Sequence, residues 1–199
     1  MTAAVPDPKE ALRRDLQEGR DALLWKLEGL SEYDVRRPMT PTGTNLLGLV
    51  KHLAYVEMGY FGGVFGRPVP EAQAWTDDGD AEPNWDMWAT AEESPAHVVE
   101  LYRQAWAHAD ATIEPLPLGA PGSVSWWRPE RRQVTLHQVL VHVVAETHRH
   151  AGHADIVREL IDGSAGLRAT NDNLAPGDEA WWRYYRARLQ RVAEDSRGE

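Results

Sequence analysis

The sequence has no cysteine, so it has no disulfides, no thiolate metal ligands and no thiol nucleophile of its own. It has no run of the ~18 apolar residues that a membrane helix needs, and no membrane partner is expected. The opening stretch MTAAVPDPKEALRRDL lacks a basic start followed by an apolar core, so no signal peptide is expected and the cytoplasm is the default compartment. Positive charge is scarce: 21 Lys and Arg stand against 31 Asp and Glu, a formal net charge of -10. That balance argues against a nucleic-acid partner, which would need a basic stripe to neutralise phosphates. The short basic groups at Arg13-Arg14, Arg36-Arg37, Arg128 to Arg132 and Arg183 to Arg188 are expected to be solvated. Strand patterning is weak throughout, which leaves an all-α class.

What is present is helical periodicity and tryptophan. Nine Trp accompany only two Phe. Trp75, Trp85, Trp88, Trp126 and Trp127 fall in loop-like sequence, where they are expected either to pin loops to a core or to line a pocket. The first helix is expected from about Pro8 to Leu30, with Asp7-Pro8 as cap and first turn. A connector holding two prolines follows. The second helix is expected from Thr44 or Asn45 to about Phe65, its apolar face interrupted by His52 and with Lys51 turned away. Residues 67–93 lack a period and read as a long surface loop. The third helix starts at Ser94-Pro95 and stops before Pro115. A second long loop covers 117–134. The fourth helix runs from Thr135 to Ile161 or Asp162, stopped by Gly163, and a last helix covers about Asp178 to Ala193. Together these predict one domain over 1–199, an antiparallel four-helix bundle with long loops and an extra C-terminal helix. Gly59, Gly62 and Gly63 are expected at a close helix crossing, since no phosphate-loop Lys-Ser/Thr follows them.

The chemistry concentrates in the fourth helix. Its core stripe is expected to run Val139, Val143, Glu146, His150, His153, Val157, Leu160, in an unbroken alternation of four and three. The middle of that stripe is a carboxylate and two imidazoles. Burying them without a partner would cost several kcal/mol, roughly, and a divalent cation removes that cost. Glu146 and His150, four residues apart, lie one above the other with Cβ atoms ~6 Å apart. His148 points elsewhere and is excluded. A third donor must come from another helix, and His52 sits on the second helix's inner face. Imidazole with carboxylate suits zinc, nickel or iron, and three protein ligands leave coordination positions open. The plain alternative is that Glu146 and His150 pair with each other and with neighbouring arginines. A di-iron bundle is disfavoured, because the first and third helices lack its Glu-x-x-His motif. Ser123 and Ser125 have no nucleophile-elbow setting.

These residues also carry a resemblance. The segment WWRPERRQVTLHQVLVHVVAETHRHAGHADIVRELIDG (126–163) resembles the signature of the DinB-like superfamily. So do TPTGTNLLGLVKHLAYVEMGYFGGVFGRP (40–68) and GLRATNDNLAPGDEAWW (166–182), and all three are most similar to an actinobacterial subgroup of unknown function. The resemblance implies a four-helix bundle with one divalent metal ion, commonly zinc or nickel, on His52, Glu146 and His150. Many members have His at the position of Glu146, while relatives similar to mycothiol-dependent maleylpyruvate isomerase have Glu. The superfamily includes thiol transferases and isomerases that use mycothiol or bacillithiol as cosubstrate. The expectation is a metal-dependent low-molecular-weight thiol S-transferase acting on a small electrophile, with a homodimer compatible with it. His153 is the candidate general base, and Trp126, Trp127 and Arg128 the candidate cosubstrate-binding residues. A metal-dependent hydrolase and a non-catalytic, metal-stabilised stress or binding protein stand as alternatives.

Overall fold

The computed structural model describes residues 7–72 and 82–197. Among them the protein is mostly helical. Helix α1 spans Pro8–Trp25, with the Asp7 carboxylate accepting from the N–H of Lys9 and Glu10. It ends earlier than its leucine spacing suggests. After Trp25 the N–H groups of Lys26, Leu27 and Glu28 bond to carbonyls three residues back, and Gly29 turns the chain with φ 74°. The Arg158 guanidinium then donates to the Lys26 and Glu28 carbonyls, which closes the helix end from outside. A short helix α2, Glu32–Arg36, lies in what reads as a connector, capped by Ser31.

Helix α3, Leu46–Glu57, begins at Asn45, whose side chain accepts from the Gly48 N–H. It is buried on nearly every side, which is why no clean polar face marks it. Lys51 is accordingly buried and not turned to solvent: its ammonium bonds to the Trp88 carbonyl and Glu93. The helix then widens into a π-helical stretch, Met58–Gly62, and tightens into a 3-10 turn, Gly63–Phe65. A Cβ on Gly62 would meet the Arg67 carbonyl and the His108 ring of the next helix, so Gly62 does stand at a close approach of helices, while Gly63 faces open space. Another close crossing is at Gly19 of α1, where a Cβ would stand 2.9 Å from the Thr147 methyl. Helix α4, Pro95–Ile113, is capped by Ser94 and packs along α3.

The loop expected over 117–134 contains a small antiparallel sheet, β1 (Pro121–Ser123) with β2 (Gln133–Thr135), in the register Pro121↔Thr135. Gly122 sits against Val64 and Phe65, which seats this hairpin on the end of the second-helix segment. Thr135 leads directly into α5, Leu136–Asp162, through a capping box with Gln138, and Gly163 ends α5 at φ 82°. Helix α5 packs along α1 and touches α3. The buried line of α5 departs from the expected stripe in its last turns. Val157 is buried as expected, but Ala154 and Arg158 are buried in place of His153, which is exposed, and Leu160, which is 60% exposed. Helix α6, Glu179–Asp195, is capped by Asp178 and buries none of its residues.

The expectation that the arginine groups are solvated holds for Arg13 and Arg14, whose ion pairs are exposed. It fails for Arg36, which donates to the carbonyls of Ala89, Thr90 and Glu93 and so ties the loop to α2. A buried ion pair that the sequence does not signal, Arg20 with Glu57, spans α1 and α3, and Asp110 of α4 joins it. Burial pushes the Glu57 carboxyl up, and the guanidinium opposes that push. No helix among the described residues is long and apolar enough to cross a membrane.

Candidate metal centre

Three donors from two helices meet at one point. His52 comes from α3, and Glu146 and His150 come from successive turns of α5. One ligand atom of each lies within 4.8 Å of the others. Glu146 Oε1 is 3.0 Å from His150 Nε2 and 3.9 Å from His52 Nε2. Bonds of ~2.1 Å in a tetrahedral site separate donors by about 3.4 Å. The two separations to Glu146 bracket that value, so the set can hold a single ion of zinc size once the imidazoles, within 4.8 Å of each other, draw together. The His52 and His150 rings stand edge to face, 4.8 Å between centroids.

Each imidazole is held from behind. Asp86 Oδ2 is 2.8 Å from His52 Nδ1, which turns Nε2 toward Glu146. A carboxylate on the outer nitrogen fixes a ligand histidine's tautomer and raises its basicity. Asp86 reaches that position because its loop lies directly on α3. The Met87 carbonyl rests against Gly48, where any Cβ would collide with it, and the Asn45 amide donates to the same carbonyl. A glycine inside a helix costs roughly 0.5–1 kcal/mol relative to alanine, and here it admits the backbone that carries Asp86. His153 Nδ1 is 3.3 Å from His150 Nδ1, on the ring edge opposite Glu146. Its exposed ring thus joins the site through His150 and does not face the three donors.

Burial, and then the neighbouring His52, push the His150 pKa down to about 4. The ring is therefore neutral near pH 7 and its lone pair is available to a cation. His148, as expected, stands apart and contacts the Asp15 carbonyl.

Beside the donors lies an aromatic wall. Trp127 Nε1 donates to the Tyr60 hydroxyl at 3.0 Å, and Trp126 stacks edge-on against Tyr60. His142, one turn before Glu146, packs against both Tyr60 and Trp127. Burial pushes the His142 pKa down and the Tyr60 pKa up. Trp126, Trp127, Arg128, Arg131 and His142 line a cleft of about 410 Å³. The other loop places Trp85 against Tyr55, while Trp88 is substantially exposed. Trp75 lies outside the described residues.

Sequence reasoning missed three residues of this site. His142 repeats the i, i+4 spacing that singled out Glu146 and His150, so its signal was present. Tyr60 looked like one more member of an apolar stripe. Asp86 sits in a loop without periodicity, and nothing in the chain's spacing ties it to His52.

A family model described as mycothiol-S-transferase matches residues 11–163. No curated protein matches the chain significantly. Among solved structures, the crystal structure of a conserved protein from Enterococcus faecalis is similar with a TM-score of 0.62 at 15% identity, over 80% of this chain and 100% of that one. At that identity the likeness speaks for the fold alone.

Proposed function

We propose, from the premise that the chain belongs to the mycothiol-S-transferase family, a DinB-like family, that it joins a low-molecular-weight thiol to a small electrophile at one divalent metal ion. His52, Glu146 and His150 would hold the ion, zinc or nickel by their chemistry. Mycothiol or bacillithiol would be the cosubstrate. The frame is read as one cytoplasmic domain over 1–199, an antiparallel four-helix bundle of α1, α3, α4 and α5 with α6 appended. The observation that carries the reading is the convergence of the three donors beside an aromatic cleft. Such an ion, when bound, supplies positive charge that lowers the pKa of a thiol and makes it a nucleophile near pH 7.

The chain's own residues supply the rest. Asp86 and His153 hold the two imidazoles in register, His150 Nδ1–H donating to His153 Nδ1. This geometry favours His153 as a positioning residue over the general base expected from the sequence. Trp126 and Trp127 exclude water from one side of the donors, and Arg128 stands at the cleft's rim. In the transfer itself the S–C bond forms as the thiol gives up its proton, and the leaving group departs with its bonding electrons. A homodimer is proposed through α6. Its apolar line Trp182, Tyr185, Leu189 and Val192 has no buried member, and Trp182, Tyr185 and Leu189 line a cleft with Glu159 and Gly163 at the end of α5. Its Arg183, Arg186, Arg188 and Arg191 suit the acidic surface of a second copy of a chain with net charge -10.

The test is metal analysis of untagged protein together with a conjugation assay using mycothiol and monobromobimane. Close to one ion per chain and metal-dependent conjugation are expected, and His52→Ala with His150→Ala should abolish both. Full metal content in that double variant would refute the site. Thiol-independent ester hydrolysis would replace the transferase reading with the hydrolase.

A further inference from the structure

The cleft beside the metal centre carries positive charge that no ion pair accounts for. Among the described residues, Arg128, Arg131 and Arg132 form no salt bridge, although Glu130 lies between the first two and the chain holds 31 acidic residues. Arg20, Arg36, Arg37, Arg158 and Arg168 each pair with a carboxylate. Arg132 is spent on structure, its Nε donating to the Trp127 carbonyl at 2.9 Å. Arg131 lies over the Trp127 ring, 5.6 Å from its centroid, and the Arg128 carbonyl accepts from the Arg131 N–H, while among the described residues the Arg128 guanidinium makes no ion pair. In an acidic protein, two guanidinium groups without an ion pair, both lining one cleft, concentrate anions there. Guanidinium forks match carboxylate geometry. The cleft's other surfaces are flat: Trp126, Trp127 and the His142 ring, the last one turn from Glu146.

We propose that this cleft selects an anionic, planar electrophile, an aromatic or conjugated carboxylate. Its carboxylate lies between Arg128 and Arg131. Its planar body lies against Trp126 and Trp127, and its reacting carbon points toward Glu146. Calling the ligand an electrophile rests on the S-transfer reading; the binding itself does not, and it is measurable without turnover.

The experiment compares 1-naphthoate with its neutral isostere 1-naphthamide by titration calorimetry on the metal-loaded full chain, without thiol. Naphthoate should bind about tenfold more tightly or better. That advantage should shrink as NaCl rises from about 0.05 to about 0.5 M. Arg128→Gln with Arg131→Gln should erase the preference and leave metal content and melting temperature unchanged. Equal affinity for the two probes, binding of neither, or a preference that survives the double variant overturns the proposal. A preference that disappears when a chelator strips the metal, with both arginines intact, places the carboxylate on the ion and also overturns it. Competition between saturating mycothiol and naphthoate would assign the arginines to the thiol and overturn the electrophile assignment. Conjugation of a neutral electrophile can persist through every one of these failures, so they leave the transferase reading standing.

Discussion

At the scale of single residues, the site depends on what stands behind its donors. His153 touches His150 on the edge away from Glu146, so His153→Ala is expected to lower metal affinity about 10- to 100-fold. Competition with a fluorescent chelator reads this directly. Unchanged affinity with a ~10²-fold loss of kcat and a lost limb of the pH-rate profile would restore the general-base role instead. His150 also makes a pH prediction for the metal-free protein. Its pKa is held down to about 4 by burial, against ~6.5 in an unfolded chain. Between those values the unfolded state binds the extra proton, so stability is complete above about pH 6.5 and falls as pH drops toward 4. The loss is on the order of 2–3 kcal/mol. Urea unfolding at several pH values, compared between wild type and His150→Gln, isolates it. Parallel curves for the two proteins would contradict the assignment.

At the scale of elements, the decisive contact joins a loop to a helix. The 82–93 segment reaches His52 because Gly48 lets the Met87 carbonyl lie on α3. Gly48→Ala should therefore act twice. The overpacked contact is expected to cost ~1–3 kcal/mol, although alanine is the better helix former. Displacing Asp86 should weaken metal binding about tenfold or more. Asp86→Asn should reproduce the second effect without the first, and a Gly48→Ala protein with normal metal affinity would show that the loop does not position His52. Helix α5 was legible in the sequence from end to end: Thr135 caps it and Gly163 stops it. Its interior was read less well. Leu160 was expected in the core and is 60% exposed. The α-helical period of 3.6 drifts from a strict four-three alternation, so over seven turns the inward line slides to take in Ala154 and Arg158 beside Val157. Lys51 was misplaced for another reason. Spacing assigned it to an outer face, but the Trp88 and Glu93 loop covers that face.

At the scale of the whole molecule, α6 stands outside the family-matched span of 11–163, and none of its residues is fully buried. The chain just before it is anchored: Trp25 Nε1 donates to the Leu167 carbonyl, Lys26 to the Gly166 carbonyl, and the Gly166 N–H to Asp155. Removing residues 175–199 should thus spare those anchors, leave metal content unchanged and shift Tm by only a few degrees, roughly. Sedimentation should show a dimer for the full chain and a monomer for the truncated one. A dimer that survives truncation would move the interface elsewhere.

The sequence by itself determined the helical class, the start and stop of α5 and the three converging donors. It could do so because capping and i, i+4 spacing are local physics, and His52 interrupts an otherwise apolar face. Only the tertiary structure decided what surrounds those donors. His153 behind His150 is a contact within one helix whose direction the strict four-three stripe misjudged, while Asp86 behind His52 and the Tyr60–Trp127–His142 wall are contacts between segments apart in the chain. So is the β-hairpin that carries the tryptophans onto the end of the second helix. Periodicity gives the direction of a face within one helix, and it carries no information about which loop will come to lie on that face.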